Sequence, residues 1–241
     1  MGNKKQAKQD GTNGKITRRS FLKLSGAAAV GMWVGNALPD VIWIDEVIAA
    51  IPASEGYLLV DTKKCQGCMS CMLACSLVHE GVENLSLARI QVIQNPFQKW
   101  PHDLTIEQCR QCVDPACVAA CPVHALEANP NYGNVRMVYG ERCTGCGECA
   151  AACPYTPSRS LVAADERYQN KEKAGKCDLC AKAPYHWYKK GGGPHGKQAC
   201  IEVCPVKAIK FTKEIPLQEG EAGYKVNLRD EKWASLGYPM D

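Results

Sequence analysis

The residues with the clearest chemistry are sixteen cysteines, which all fall into four sets of four. The third set is Cys143, Cys146, Cys149 and Cys153, with Pro154 after it, and its spacing is C-x2-C-x2-C-x3-C-P. Thiolates with this spacing bind 4Fe-4S clusters: a short turn brings the first three to one cluster, while the fourth serves a second cluster. We therefore predict that Cys153 starts a helix leading away from its three neighbours.

The other three sets repeat this pattern with changes in one gap. The spacings are x2, x2, x3 in the first set, x2, x4, x3 in the second and x2, x19, x3 in the fourth. Their members are Cys65, Cys68, Cys71 and Cys75; Cys109, Cys112, Cys117 and Cys121; and Cys177, Cys180, Cys200 and Cys204. No cysteine lies outside the sets, so the sequence predicts four 4Fe-4S clusters.

Other uses of cysteine must be weighed against this interpretation. Cys-x2-Cys pairs also hold structural zinc, and an even number of cysteines can form a disulfide framework. Zinc sites usually consist of two pairs without a following Cys-Pro, and disulfide frameworks belong mainly to short chains. A structural zinc module remains the alternative. The sequence shows no nucleophile with a base and no carboxylate pair, so we predict a non-catalytic protein. A freestanding catalyst would need an iron with an open coordination position.

The longest gap inside a set, residues 181–199, contains Gly-Gly-Gly-Pro without the strand and helix of a phosphate site, and we predict a flexible loop. Trp187 in this loop, with Tyr185 and Tyr188, either contacts a partner or packs locally. Because the cysteine sets are already complete, four histidines are predicted to be surface residues: His79, His124, His186 and His195.

Composition limits the size of the core and the kind of partner. The 241-residue chain is 7% aromatic with three Phe, so folding and cluster binding should be coupled. The net charge is +4, but residues 1–50 carry seven basic and four acidic side chains, which leaves 22 basic against 21 acidic in the remainder. Clusters with four thiolates add negative charge, so no nucleic-acid partner is predicted.

Short elements must position the cysteines. Residues 57–61 and 89–94 read as strands, and residues 125–128 and 135–139 flank turn-forming residues as a hairpin. After Cys200 come a helical turn, Cys-Pro and a strand that ends at Phe211. The predicted repeating unit is a cluster-binding loop, a short helix and a strand.

The N-terminal segment, residues 1–50, reads as a twin-arginine export signal. Arg18 and Arg19 precede a Gly/Ala-rich apolar run that Asn36 and Pro39 interrupt, which makes the run too short for a membrane span. Cleavage is predicted at or just after Val47-Ile48-Ala49. Such signals serve proteins that fold with their cofactors before export, and this order keeps free thiols from forming disulfides. The predicted location is the periplasm or the outer face of the cytoplasmic membrane.

From residue 57 to about 212 the sequence resembles the four-cluster ferredoxin-type electron-transfer subunits of the dimethyl-sulfoxide-reductase family of molybdopterin enzymes. The resemblance rests on the four sets in this order, the x4 gap and the long gap in the fourth set. It implies an α+β, loop-rich fold of two interleaved bacterial two-cluster ferredoxin-like folds, with short β-hairpins and helices. The outer domain would be residues 57–100 with 170–212, the inner domain 101–169, and residues 213–241 a C-terminal tail over the domain or a neighbour.

The resemblance also implies which cysteines share a cluster, because it pairs the first set with the fourth and the second with the third. The implied ligands are Cys65, Cys68, Cys71 and Cys204 for cluster 1; Cys177, Cys180, Cys200 and Cys75 for cluster 2; Cys109, Cys112, Cys117 and Cys153 for cluster 3; and Cys143, Cys146, Cys149 and Cys121 for cluster 4.

The implied function is electron transfer between a catalytic molybdopterin or tungstopterin oxidoreductase subunit and a membrane-anchor quinone-reactive subunit or a cytochrome, with no transmembrane span in this chain. The first set lacks the final Cys-Pro, since Ser76 follows Cys75. Its continuation through Ile90 resembles the ferredoxin partners of tungsten aldehyde oxidoreductases and carbon-monoxide dehydrogenases. An exported hydrogenase or another dehydrogenase is the alternative partner.

Overall fold

The structure, a computed structural model, describes residues 51–240. The predicted twin-arginine signal and its predicted cleavage site lie outside the described residues. Within residues 51–240, no helix combines the length and the apolar character needed to cross a membrane.

Strands in the described part of the chain form four separate antiparallel pairs. The strands are β1 Tyr57–Val60, β2 Ile90–Gln94, β3 Leu104–Gln108, β4 Leu126–Asn129, β5 Val135–Val138, β6 Leu161–Asp165, β7 Lys171–Gly175 and β8 Ile209–Thr212. Three hairpins join consecutive strands, whereas β1 pairs with β8. In that pair Val60 lies opposite Ile209, so the strand before the first cysteine set adjoins the strand after the fourth.

Helices carry the third cysteine of every set. They are α1 Ser70–Glu80, α2 Ala116–Ala119, α3 Glu148–Ala151 and α4 Ala199–Glu202, and a short helix in the tail is α5 Glu231–Ser235. The prediction that Cys153 starts a helix is wrong, because α3 ends at Ala151 and Cys153 follows it. In the first set, α1 runs through both Cys71 and Cys75.

Helix packing follows the same pairing as the strands. Helix α1 packs against α4, and α2 packs against α3. Elements of the first set therefore adjoin those of the fourth, and elements of the second adjoin those of the third. The α+β, loop-rich character with short hairpins and helices is confirmed.

The core is built largely around the cysteines. In the larger core, side chains such as Leu58, Ile90, Ile106 and Met137 pack with the thiols of the outer sets, and a smaller core joins Leu126 to cysteines of the inner sets. Apolar packing and the cysteine sites thus share the same interior, and filling the sites should stabilise the fold.

The tail after residue 212 lies over this core. Tyr224 is fully buried, its backbone oxygen accepts from the Val60 N–H at 2.9 Å, and its hydroxyl donates to the Arg110 carbonyl at 2.8 Å. Further along, Arg229 Nε lies 3.1 Å from Asp61 Oδ2. Of the two placements predicted for the tail, the structure thus shows contact with its own chain.

Candidate iron–sulfur sites

Three cavities are each lined by four cysteines from two sets. Each cavity is named after one of its cysteines. The Cys65 site has Cys65, Cys68, Cys71 and Cys204; the Cys109 site has Cys109, Cys112, Cys117 and Cys153; and the Cys143 site has Cys143, Cys146, Cys149 and Cys121.

The remaining four cysteines form a fourth group, the Cys177 site, which is the most deeply buried. Burial, followed by the nearby sulfurs of Cys180, Cys177 and Cys75, raises the pKa of Cys200 well above its usual value. All four thiols of this group are less than a tenth exposed. The structure therefore brings together the same four groups of cysteines that the resemblance implied.

The fourth cysteine of every set accepts a backbone N–H. The donors are Ala125 to Cys121 and Ala208 to Cys204 at 3.2 Å, and Arg89 to Cys75 and Arg159 to Cys153 at 3.3 Å. In the second and fourth sets the donor lies four residues after the cysteine, whereas it lies 14 residues after Cys75 and 6 residues after Cys153. An N–H pointing at sulfur favours the thiolate form that binds iron.

The thiols are placed to surround a volume. All sixteen are free of disulfide bonds. Within the described residues, no three His, Cys, Asp or Glu side chains are close enough to hold a single metal ion. The four-cysteine cavities instead have the donor set of a cubane cluster, which binds four thiolates.

Lys176 provides a direct test of whether an anionic cluster fits. Its side chain is buried, and Nζ lies 3.4 Å from the Cys117 sulfur. Burial lowers the pKa of Lys176, but the neighbouring Cys109 and Cys117 outweigh this effect and raise it. No carboxylate among the described residues pairs with this ammonium. A buried cation requires a compensating anion, which a thiolate-bound cluster supplies. The residues around the Cys109 site therefore fit an anionic, thiolate-bound 4Fe-4S cluster.

His79 is not the surface residue that the sequence predicts. It is 6% exposed, with Nε2 2.8 Å from Asp178 Oδ1 and Nδ1 2.8 Å from the Cys75 carbonyl oxygen. Arg89 Nη1 donates to the other Asp178 oxygen at 2.8 Å. Burial lowers the pKa of His79, but Asp178 outweighs it and raises the pKa to about 10. Since both ring nitrogens face acceptors, both donate.

A sequence signal for this contact exists. His79 follows Cys75 by four residues on α1, so the two share a helix face. Asp178 lies between two cysteines of the fourth set, where its carboxylate also accepts from the Cys180 N–H at 3.0 Å. The pairing of the two residues depends on the packing of α1 against the fourth set, which the sequence does not reveal.

The loop of residues 181–199 is held against the fourth set, which corrects the prediction of a flexible loop. The Gly193 N–H donates to the Leu179 carbonyl oxygen at 2.7 Å, and Gln198 Nε2 donates to the Gly193 carbonyl oxygen at 2.8 Å. A Cβ at Gly192 would collide with Cys180. Here the glycines allow a close approach to a cysteine site.

The other histidines and the loop aromatics lie nearer the surface. His124 and His195 are exposed, as predicted, whereas His186 is half-buried with Nε2 3.0 Å from the Lys197 carbonyl oxygen. Tyr185 is 61% and Trp187 48% exposed, so neither is used mainly for local packing.

Comparison with known proteins identifies families of iron–sulfur domains in this chain. A family described as "4Fe-4S dicluster domain" matches residues 101–214, and a second family with the same description matches residues 57–123. The chain therefore belongs to the iron–sulfur proteins built from 4Fe-4S dicluster domains.

Individual relatives point to redox systems. The chain is 32% identical over 230 residues to the hydrogenase-2 operon protein HybA of Escherichia coli O157:H7, covering 86% of this chain and 66% of HybA, just under two thirds. It is 34% identical to the polyferredoxin-like subunit of aliphatic sulfonate oxidoreductase from Pyrococcus furiosus, covering 61% of this chain and 70% of that protein. It is 31% identical to the NrfC homolog of Haemophilus influenzae, covering 81% of this chain and 79% of that protein. The prediction of a ferredoxin-type iron–sulfur protein is confirmed.

Proposed function

We propose that this chain holds four 4Fe-4S clusters and carries electrons, without catalysis of its own, between the catalytic and membrane-side subunits of an exported oxidoreductase complex. The observation that carries the proposal is the division of sixteen free thiols into four groups of four. When bound, such clusters accept and release electrons at potentials that the protein sets. The ligands are the four groups named above.

Sulfurs of neighbouring sites lie close enough to affect one another's pKa, which supports an order for transfer. The pKa of Cys200, in the Cys177 site, is raised by burial and then by nearby sulfurs. One of these sulfurs is that of Cys71, in the Cys65 site. Burial and then Cys117 of the Cys109 site raise the pKa of Cys149, in the Cys143 site. Lys176, which touches Cys117, directly precedes Cys177. The order is Cys65 site, Cys177 site, Cys109 site, Cys143 site.

The two ends of this order reach the surface. Cys68 and Cys146 are the exposed thiols of the sixteen, and they belong to the Cys65 and Cys143 sites. Electrons would enter and leave at these two sites, because transfer to a partner requires a short separation.

An aromatic surface lies beside the Cys65 site. Gln66 donates to the Tyr238 hydroxyl at 3.2 Å, and the Tyr238 ring packs edge-on against Trp100 at 5.0 Å between centroids. Trp100 is 49% and Phe97 96% exposed. Exposed aromatic side chains favour protein interfaces, so we assign one partner to this end.

The proposed domains are interleaved. The pairing of β1 with β8 and of α1 with α4 supports an outer two-cluster domain of residues 57–100 with 170–212. The packing of α2 against α3 supports an inner domain of residues 101–169.

The proposed catalytic partner is a molybdopterin or tungstopterin oxidoreductase, and the proposed membrane-side partner is a quinone-reactive subunit or a cytochrome. The names of two relatives favour specific alternatives, a hydrogenase and an aliphatic sulfonate oxidoreductase. Residues 1–50 support export of the folded subunit by the twin-arginine route to the periplasm or the outer face of the cytoplasmic membrane.

Metal analysis of the anaerobically purified full chain tests the proposal. We expect a brown protein with about sixteen iron atoms and as much acid-labile sulfide, from four cubanes. Stoichiometric zinc without sulfide would establish the structural zinc module instead. Substrate turnover by the isolated chain would show that it is a catalyst.

A further inference from the structure

Charge is distributed unequally among the cysteine sites. Four cationic side chains line the Cys109 cavity: Arg110, Arg136, Arg159 and Lys176. By contrast, no charged side chain lines the Cys65 cavity, where Val92 and Ile106 are typical. None lines the Cys143 cavity either, although the half-buried Lys173 donates to the Cys143 carbonyl oxygen beside it. At the Cys177 site, His79 and Arg89 are matched by the carboxylates of Asp178 and Glu80.

Two of the four cations at the Cys109 site are neutralised by carboxylates. Arg110 lies 3.4 Å from Glu221 and 3.9 Å from Glu107. Arg159 forms close ion pairs with the same two carboxylates. These pairs offset the charges of Arg110 and Arg159, and Lys225 shares Glu221 with them at 2.8 Å.

The other two cations have no carboxylate partner among the described residues. Arg136 is fully buried, and its guanidinium donates to carbonyl oxygens, including those of Cys112 at 3.1 Å and Pro52 at 2.8 Å. Lys176 has cysteine sulfur as its polar partner, 3.4 Å away. The Cys109 site therefore carries positive charge that carboxylates do not balance and that thiolates binding a cluster would balance.

We infer that Lys176, assisted by Arg136, makes the cluster at the Cys109 site the most easily reduced of the four. This inference rests on the proposed function. Reduction adds one negative charge to a cluster, and a buried cation in contact with a ligand sulfur stabilises that charge strongly, because little solvent screens the interaction.

The position of Lys176 gives this stabilisation a role. It lies between Cys177 of one site and Cys117 of the next, where electrons pass between the outer and inner domains. Gln111 spans the same junction, since its Nε2 donates to the Cys177 carbonyl at 2.7 Å. An electron would therefore rest at the middle of the chain of sites, with less easily reduced clusters toward both ends.

Spectroscopically monitored reductive titration of the full chain, without any partner, tests the inference. The signal of the Cys109 site is identified by its change in Cys112→Ser, because Cys112 belongs to that site alone. In the unsubstituted protein, this signal should be the first to appear on reduction. A different site at the highest potential would overturn the inference.

Substitutions of Lys176 test the cause. At the wild-type midpoint, Lys176→Met should lower the ratio of reduced to oxidised cluster at this site at least tenfold, which is about 59 mV for one electron. Lys176→Arg should restore most of the potential, and Lys171→Met, at an exposed position on β7, the strand that ends just before Lys176, should change nothing. An unchanged midpoint in Lys176→Met with full iron content would refute the assignment.

Two further outcomes are separable. If Lys176→Met cannot retain the cluster at the Cys109 site, the inference is decided by the order of the four reduction midpoints in the unsubstituted protein alone. A preparation of the unsubstituted protein that binds zinc and no sulfide refutes the proposed function itself.

Discussion

His79 and Asp178 join two segments that are 99 residues apart in the chain, with 2.8 Å between His79 Nε2 and Asp178 Oδ1. His79 lies on α1, one turn after Cys75, and Asp178 lies between Cys177 and Cys180. Arg89 binds the second oxygen of the same carboxylate. The ion pairs thus clamp the first cysteine set to the fourth at the site where the two sets meet.

Removing the charge of Asp178 should loosen this clamp. Asp178→Asn leaves the buried His79 without its anion and leaves Arg89 with Glu80 alone. Loss of one partner from a buried pair costs about 3–5 kcal/mol of unfolding free energy. Denaturant unfolding under anaerobic conditions measures the loss, and iron analysis should show depletion at the Cys177 site. Glu202→Gln is the control, because its ion pair with Lys197 is also 2.8 Å long but solvent-exposed. Equal effects of the two substitutions would contradict a structural role for the clamp.

Two glycines in the loop of the third set should differ in their tolerance of a side chain. Gly145 and Gly147 both have positive φ, 79° and 80°, so alanine strains the backbone at either position by about 1 kcal/mol or more. A Cβ at Gly145 would also collide with the Glu172 carbonyl oxygen, whereas a Cβ at Gly147 meets open space. We expect Gly145→Ala to lower the unfolding midpoint much more and to release the Cys143-site cluster.

Iron retention and the unfolding midpoint of the two alanine variants, compared side by side, provide the measurement. Backbone strain is the same in both variants, so any excess effect at Gly145 reports the collision. If Gly147→Ala is as damaging as Gly145→Ala, the close approach of β7 to this loop is not important.

Shared ligands can be tested by cysteine substitution. Cys75→Ser should alter the same cluster as Cys177→Ser, because Cys75 lies with Cys177 although its sequence neighbours belong to the Cys65 site. Serine is a poorer ligand for iron than thiolate, so that cluster should lose iron or change potential. Spectra of the reduced variants would decide; identical changes in Cys75→Ser and Cys65→Ser would mean that each set is a self-contained site.

Export can be tested at the twin-arginine pair. With Arg18 and Arg19 both changed to Lys, the folded, cluster-loaded protein should stay in the cytoplasm, because transport depends on the pair. Cell fractionation with immunodetection measures this, and Lys4 and Lys5 both changed to Arg serves as the control for basic charge. Normal export of the double lysine variant would show that residues 1–50 are not such a signal.

Local spacing along the chain was sufficient for several features. A thiolate run with two-residue gaps closes within one turn, so the first three cysteines of the first and third sets are predictable as neighbours without knowledge of the fold. The hairpin of β4 and β5 was also predictable, because Asn129 and Gly133 form its turn from residues close in sequence. The number of sites follows from the number of complete sets.

Long-range packing decided the rest. The pairing of β1 with β8 joins residues about 150 positions apart, and the burial of His79 depends on α4 and the fourth set packing beside α1. The charge at the Cys109 site comes from cations on separate segments that pattern alone does not bring together. Sequence determined which atoms can bind iron, because ligand spacing is a local property. Tertiary structure determined which thiols share a site and what charge surrounds them, because both depend on contacts between distant segments.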